Sequence, residues 1–422
     1  MKVFKFGGAS IKSPDAIKNV AAIIKIHAEK NLLVVVSAMG STTDALEKII
    51  DLGRAGKNFD AELQQAVAYH TGLVQALFPE STSLCQYLNE RAAEIKQAAT
   101  QPGDYDFVYD QVIGYGELIS SHIICALLQQ QQLPAFWKDA RQFIRTDSTF
   151  REGQILWPET RAQVAALAPT LRDHVVITQG FIGRNAQNET VSLGREGSDF
   201  SAAIFGATLP AESVTIWKDV PGLMNADPKR IADAVVFDEL PYKETAEMTY
   251  YGASVIHPKT IKPLANAGIP LLVKSFIDPT LPGTKIHDCH VAQLPPLIVH
   301  KENQCLISCR VTDYTFVNEE QLGHIFHALS ASGMRVNVMQ NSAISFSFCV
   351  DYIEHRVFKL IALLSQRFEV FYNTGLLLIT VKNYNARTFQ EYRNLKGLVL
   401  EQSSRTALQV LVKSTDATSH QP

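Results

Sequence analysis

The stretch Val191–Gly206, VSLGREGSDFSAAIFG, decides how this chain is read. It opens as a short alternating strand, passes through Gly194 and Gly197, and continues as an apolar helix. A helix start leaves backbone N–H groups unpaired and carries partial positive charge, which suits a phosphate. Glycines let the backbone approach such a ligand closely. Ser198 or Asp199 is expected to cap the helix. Arg195 adds a planar fork for carboxylate or phosphate. Taken alone, the stretch fits an ordinary capped strand–turn–helix equally well. A second anchor at the N-terminus tips the reading.

There, Val3–Phe6 reads as a buried strand that empties into Gly7–Gly8–Ala9–Ser10. Ser13–Pro14 then opens an amphipathic helix, with Pro14 in its first turn. Leu32–Val36 is a continuous apolar run, as expected of a strand covered on both faces. It ends in the polar loop 37–43, SAMGSTT, before another helix. The first fifty or so residues are therefore βαβα, with small polar loops at successive strand ends. Ligands of open α/β sheets gather at those carboxyl ends. Leu133–Trp137, Val175–Thr178, Ser213–Trp217 and Leu271–Val273 read as further strands, the last closing this sheet. Glu117, in GYGELIS, is placed at a helix start, where the dipole alone would favour an acid. Arg141, Arg145 and Arg151 fit substrate contacts and surface positions equally.

Length and composition bound the rest. A chain of 422 residues implies two or three domains. A formal net charge of −3 gives no electrostatic reason to expect nucleic acid or anionic membrane as partner. No apolar run is expected to reach bilayer length, and Met1 leads straight into a short strand rather than a signal peptide, so the expected compartment is the cytoplasm. The six cysteines are scattered, which favours reduced thiols. His287, Cys289 and His290 cluster around Asp288 without a usual four-ligand spacing, so no metal site is expected.

Pro279, Pro282, Gly283, Pro295 and Pro296 mark the best boundary. Residues 1–285 form one domain, 286–298 a linker, 299–413 a second region and 414–422 a polar tail. The second region reads βαββαβ, followed by a shortened set of the same kind. These are two small modules that share or interlace strands.

Lys5 stands two residues before a glycine pair at a strand end. A lysine there can place charge between nucleotide phosphates, and phosphoryl transfer needs chiefly positioning and charge neutralisation. KFGG is not a P-loop, and GREG lacks the third glycine of a dinucleotide fingerprint. KFGG together with the second glycine–arginine–aspartate loop and the basic loop at 217–220, WKDV, is far more specific than any one of them.

KFGGAS at 5–10, SAMGSTTD at 37–44, GYGELIS at 114–120, TQGFIG at 178–183, LGREGSDFSAA at 193–203, WKDVPGLMNADPKR at 217–230 and GASVIHPKTI at 252–261 together resemble the aspartokinases. They fall in that family's order and cover nearly all of 1–285. The remainder resembles the paired ACT-type modules that follow the kinase domain. The resemblance implies an amino-acid-kinase-like three-layer α/β sandwich with a mainly parallel sheet, followed by α+β modules of ferredoxin-like type. It implies transfer of the γ-phosphoryl of ATP to the side-chain carboxylate of L-aspartate. Mg²⁺ would be held mainly by the phosphates, and the modules would mediate homo-oligomers. Lys5 would neutralise the phosphoryl group in flight, with Asp199 orienting it. Arg195 would clamp the substrate's α-carboxylate and Glu117 its ammonium, with Ser37, Thr43 and Ser198 around its oxygens. Phe6, Gly7, Gly8, Lys218, Asp219, Lys229, Ser254 and Val255 would hold the nucleotide. Two departures stand out: Ala9 replaces the family's usual threonine, and Glu196 its usual glycine. The sensing loop, Asn318–Glu319–Glu320–Gln321, and Asn337, Gln340 and Asn341 on the next strand imply weak or absent feedback by lysine or threonine. The rival readings are a kinase for another acidic substrate and a catalytically silent ligand-sensing homologue.

Overall fold

The computed structural model describes residues 1–28, 31–252, 256–312 and 315–414. Its larger unit is built on an eight-stranded sheet. The strands are β1 (Lys2–Phe6), β2 (Leu32–Val36), β3 (Ala135–Trp137), β4 (Val175–Gln179), β7 (Ser213–Lys218), β8 (Glu239–Pro241), β9 (Leu271–Ser275) and β10 (Thr284–His287), in the order β3-β4-β2-β1-β7-β9-β10-β8. A small hairpin pairs β5 (Ile182–Arg184) with β6 (Thr190–Ser192). All pairings in the large sheet are parallel except β9 with β10.

Every residue of β2 is buried, as its unbroken apolar run requires. Strand side chains alternate, so β1 serves two layers. Phe4 and Phe6 join Val34, Ile177 and Trp217 in a core with the helices Pro14–His27 and Tyr115–Gln130. Phe6 stacks on Trp217 at 5.8 Å between ring centroids. Lys5, between them, faces the opposite layer, where the helix Gly197–Thr208 crosses β1, β2 and β7. Ser13 caps the first helix by accepting the N–H of Ala16.

Four expectations change. The strand at 271–275 does not close the sheet: β10 follows it antiparallel and brings β8 to the edge. The segment expected as linker from 286 therefore begins inside a strand. The apolar stretch Tyr105–Gln130 is long enough to cross a bilayer, but its 18-residue apolar window is 78% buried and belongs to the core. Ser198 and Asp199 are not caps: the helix starts at Gly197, after Glu196, and both lie in its first turn.

The second unit carries a six-stranded antiparallel sheet of β11 (Leu297–Arg310), β12 (Val336–Asn341), β13 (Ser345–Asp351), β14 (Glu369–Lys382), β15 (Leu398–Ser403) and β16 (Ala407–Lys413), in the order β12-β13-β11-β14-β16-β15. The strands read separately at 370–371 and 376–381 are one, β14. It and β11 are 14 residues long and run through both modules, which interlace as expected. A register shift between Lys301 and Gln304 marks the change from one module to the other. One core gathers Cys305, Ile307 and Phe348 under the helices Glu319–Ala331 and Glu354–Leu364. A second gathers Ile379, Val381, Leu408 and Val410 near Tyr392 of the helix Ala386–Arg393. The division is not a single cut at 285: the first unit runs on to Val291, and Met224–Val235 belongs to the second. Asn225 shows why, since its backbone carbonyl accepts Ile298 N–H at 2.7 Å and its amide donates to Pro296 O at 3.0 Å.

Candidate active site

In-register parallel pairing brings the carboxyl ends of β1, β2, β4 and β7 to one edge: Phe6 lies opposite Val36 and Trp217, and Val36 opposite Gln179. The loops leaving those strands surround a cavity of about 450 Å³. Gly8 is needed there, because a β-carbon would stand 2.6 Å from Ala38 O. Gly180 likewise lets Ser198 approach, a β-carbon there falling 2.5 Å from the Ser198 β-carbon.

The cavity's charged centre is Asp199, only 1% exposed. Lys5 Nζ is ion-paired with its Oδ1, and Lys218 Nζ lies 3.7 Å from its Oδ2. Burial opposes ionisation of Asp199, but the two ammonium groups hold its carboxyl below the usual carboxylate range. Lys5 comes from β1, Lys218 from the end of β7, and Asp199 from the first turn of Gly197–Thr208, where the helix dipole also favours an anion.

Glu117 approaches from the helix Tyr115–Gln130. Ser120 fixes that helix against the second loop, its hydroxyl donating to Ser37 O at 2.6 Å. Ser121 fixes it to the sheet: its Oγ donates to Glu117 O at 2.7 Å and accepts from Trp137 Nε1 at 2.9 Å and Gln179 Nε2 at 2.6 Å. Glu117 is 4% exposed and its Oε2 has no hydrogen-bond partner among the described residues. Burial pushes its carboxyl up to about 8, against the N–H of Ala38 and the charge of Lys5. A buried acid so weakly compensated calls for a cation from outside the chain. Arg195, exposed on its loop, lines the same cavity and makes no ion pair among the described residues. The cavity thus offers one open anion and one open cation beside a lysine–aspartate–lysine cluster.

Lys5, Gly8, Ser37, Thr43, Glu117, Arg195, Ser198 and Asp199 all line this cavity, and Gly7 lies against Lys5. Phe6 does not: its side chain is fully buried on the other face of β1, so only its backbone can meet a ligand. Asp219 is exposed and does not line the cavity. Lys229 is also exposed, in the segment that packs with the second unit, its N–H held by Asp227 at 2.9 Å. Ser254 and Val255 lie outside the described residues.

Sequence reasoning overlooked Tyr109, Asp110 and Phe181 and left Arg151 undecided. Asp110 accepts the N–H of Arg151 at 2.8 Å and of Ser192 at 2.9 Å, and burial pushes its carboxyl up to about 6. It thereby holds the Arg151 loop against β6, with the Arg151 guanidinium 4.4 Å from the Tyr109 ring centroid. An acid inside the apolar run 105–113 was the available signal. The expected His–Cys cluster takes another form. Glu239, His287 and Cys289 bring ligand atoms within 4.8 Å of one another, and His290 is not among them. Burial and nearby carboxylates push the Cys289 thiol up, so it stays protonated.

Comparison with known proteins agrees with this geometry. The sequence profile of the amino acid kinase family matches residues 1–275. Lysine-sensitive aspartokinase 3 of Escherichia coli is 31% identical over 360 residues, covering 83% of this chain and 78% of that one. A bifunctional aspartokinase/homoserine dehydrogenase of Zea mays is 30% identical, and this chain spans 41% of its length. The crystal structure of E. coli aspartokinase III with aspartate and ADP superposes with a TM-score of 0.83 at 27% identity, covering 99% of this chain and 97% of that one. The chain belongs to the amino acid kinase family and, within it, to the aspartokinases.

Proposed function

We propose that the chain transfers the γ-phosphoryl of ATP to the side-chain carboxylate of L-aspartate, giving 4-phospho-L-aspartate. The reading rests above all on Lys5 and Lys218 converging on buried Asp199 at the mouth of a parallel sheet. Arg195 receives the α-carboxylate of aspartate and Glu117 its ammonium, which leaves the side-chain carboxylate to point at the lysines. Lys5 and Lys218 then neutralise charge spread over the phosphoryl oxygens, and Asp199 fixes where Lys5 stands. Asp199 is committed to lysines, so the residues supply no all-protein cage for Mg²⁺; the ion fits best as a nucleotide-held partner that offsets phosphate charge.

The product opens the routes from aspartate to lysine, threonine and methionine, and the chemistry suits the cytoplasm. The second unit serves as the homo-oligomer contact. Weak feedback by lysine or threonine is part of the same proposal. Asn318 and Gln321 are used up in a capping box. Asn337 accepts from Lys301 at 2.8 Å and donates to Gln304 at 2.7 Å. The test is ATP-dependent acyl-phosphate formation, trapped with hydroxylamine, on L-aspartate against L-glutamate. Turnover is expected on aspartate; equal turnover on glutamate, or none on either, refutes the proposal.

A further inference from the structure

One cavity residue is accounted for by neither end of aspartate. Glu196 precedes the helix Gly197–Thr208 with φ +57°, in the left-handed region where a β-carbon is disfavoured. Its side chain caps no helix N–H, so capping does not explain an acid here. Instead it lines the same cavity as Lys5 and Asp199, the latter three positions on. Lys218 and Lys5 both attract it. The other charged side chains around the cavity are Glu117, Arg151 and Arg195. Two lysines thus face two carboxylates, where a phosphoryl group needs the lysines to itself.

We infer that Glu196 is an internal anion that competes with the nucleotide's phosphates for Lys218 and Lys5, and so weakens nucleotide binding. The inference rests on the kinase reading of the cavity. When a polyphosphate arrives, the Glu196 carboxylate must yield its lysines by turning aside or taking up a proton. Asp199, wholly buried and ion-paired with Lys5, stays in place. A unit negative charge a few ångströms from a phosphate, screened through an open mouth, weakens binding by about tenfold.

Calorimetric titration of the full chain with MgADP separates charge from backbone strain through two variants. Glu196→Gln removes the charge and keeps the β-carbon. Glu196→Gly removes both. Both are expected to tighten ADP binding about 5- to 10-fold and to lower KM for ATP to match. KM for aspartate should hold within about twofold in each. Only Glu196→Gly should raise Tm, because only it relieves the left-handed backbone. Unchanged or weaker ADP binding by Glu196→Gln overturns the inference, as does a gain confined to Glu196→Gly. The binding measurement does not need turnover. A wild-type chain that binds ADP but phosphorylates no aspartate refutes the proposed reaction and leaves this test intact.

Discussion

Replacing Lys5 with methionine keeps the aliphatic stem and deletes the cation nearest Asp199. Removing one partner of a buried ion pair costs about 3–5 kcal/mol when nothing compensates. Here Lys218 remains 3.7 Å from Asp199, and the Lys5 side chain is 12% exposed, so water already screens it in part. The expected loss is about 1–3 kcal/mol near neutral pH. Its pH dependence is the sharper readout. The Asp199 carboxyl, held low in the wild-type fold, contributes stability above its unfolded pKa, and that contribution is lost as pH falls through the folded value. With Lys5 gone, burial prevails and the Asp199 carboxyl moves up. The variant should therefore fall furthest behind wild type near pH 7–8, and the gap should narrow as pH drops below about 5. Guanidinium unfolding at four or five pH values measures this directly. In the hydroxamate assay kcat should fall about 10²- to 10³-fold, the usual loss for one electrostatic contact to a developing charge. A stability gap that is flat with pH, or a kcat within about threefold of wild type, would refute the assigned role of Lys5.

Glu117→Gln should raise KM for aspartate about 10- to 100-fold, because a charge-assisted contact to the ammonium is lost. In the wild type the Glu117 carboxyl, pushed up to about 8, must release its proton to meet that ammonium, so KM should fall as pH rises towards 8; the variant's profile should be flat. The same raised carboxyl contributes stability that is fully present below its unfolded value of 4.5 and is lost as pH rises through its folded value, so Glu117→Gln should gain on wild type in thermal unfolding between about pH 4.5 and pH 8 and hold that gain above. Ser121→Ala leaves the buried donors of Trp137 and Gln179 without their acceptor and should cost about 2–4 kcal/mol in denaturant unfolding. Gly8→Ala forces a β-carbon to 2.6 Å from Ala38 O, and the resulting shift should cost about 1–3 kcal/mol and most of the activity.

Much of the fold was legible because local rules agreed. The run 32–36 reads as a doubly covered strand and is one, and Ser13–Pro14 reads as a helix start and caps one. The readings that failed depended on partners far along the chain. β10 lies among turn residues and is a strand only because β9 and β8 flank it. Asp199 resembles a cap in sequence, but Glu196 in the left-handed region starts the helix earlier and turns that carboxylate towards Lys5. Phe6 stands between two ligand-facing positions, yet strand alternation sends its ring to the core.

The sequence by itself determined the alternation of strand and helix, the small-residue loops at strand ends and the residue types from which a phosphoryl-transfer site is made. Only the tertiary structure decided which of them meet. β1 lies between β2 and β7, and that non-local order brings residues 5, 117, 199 and 218 to one mouth. It also placed Glu196 in the same cavity as Asp199 and Lys5, so that a second carboxylate lines the mouth where the lysines meet. Local preferences act through a few neighbouring bonds, whereas these meetings depend on which strands pair and which faces they bury.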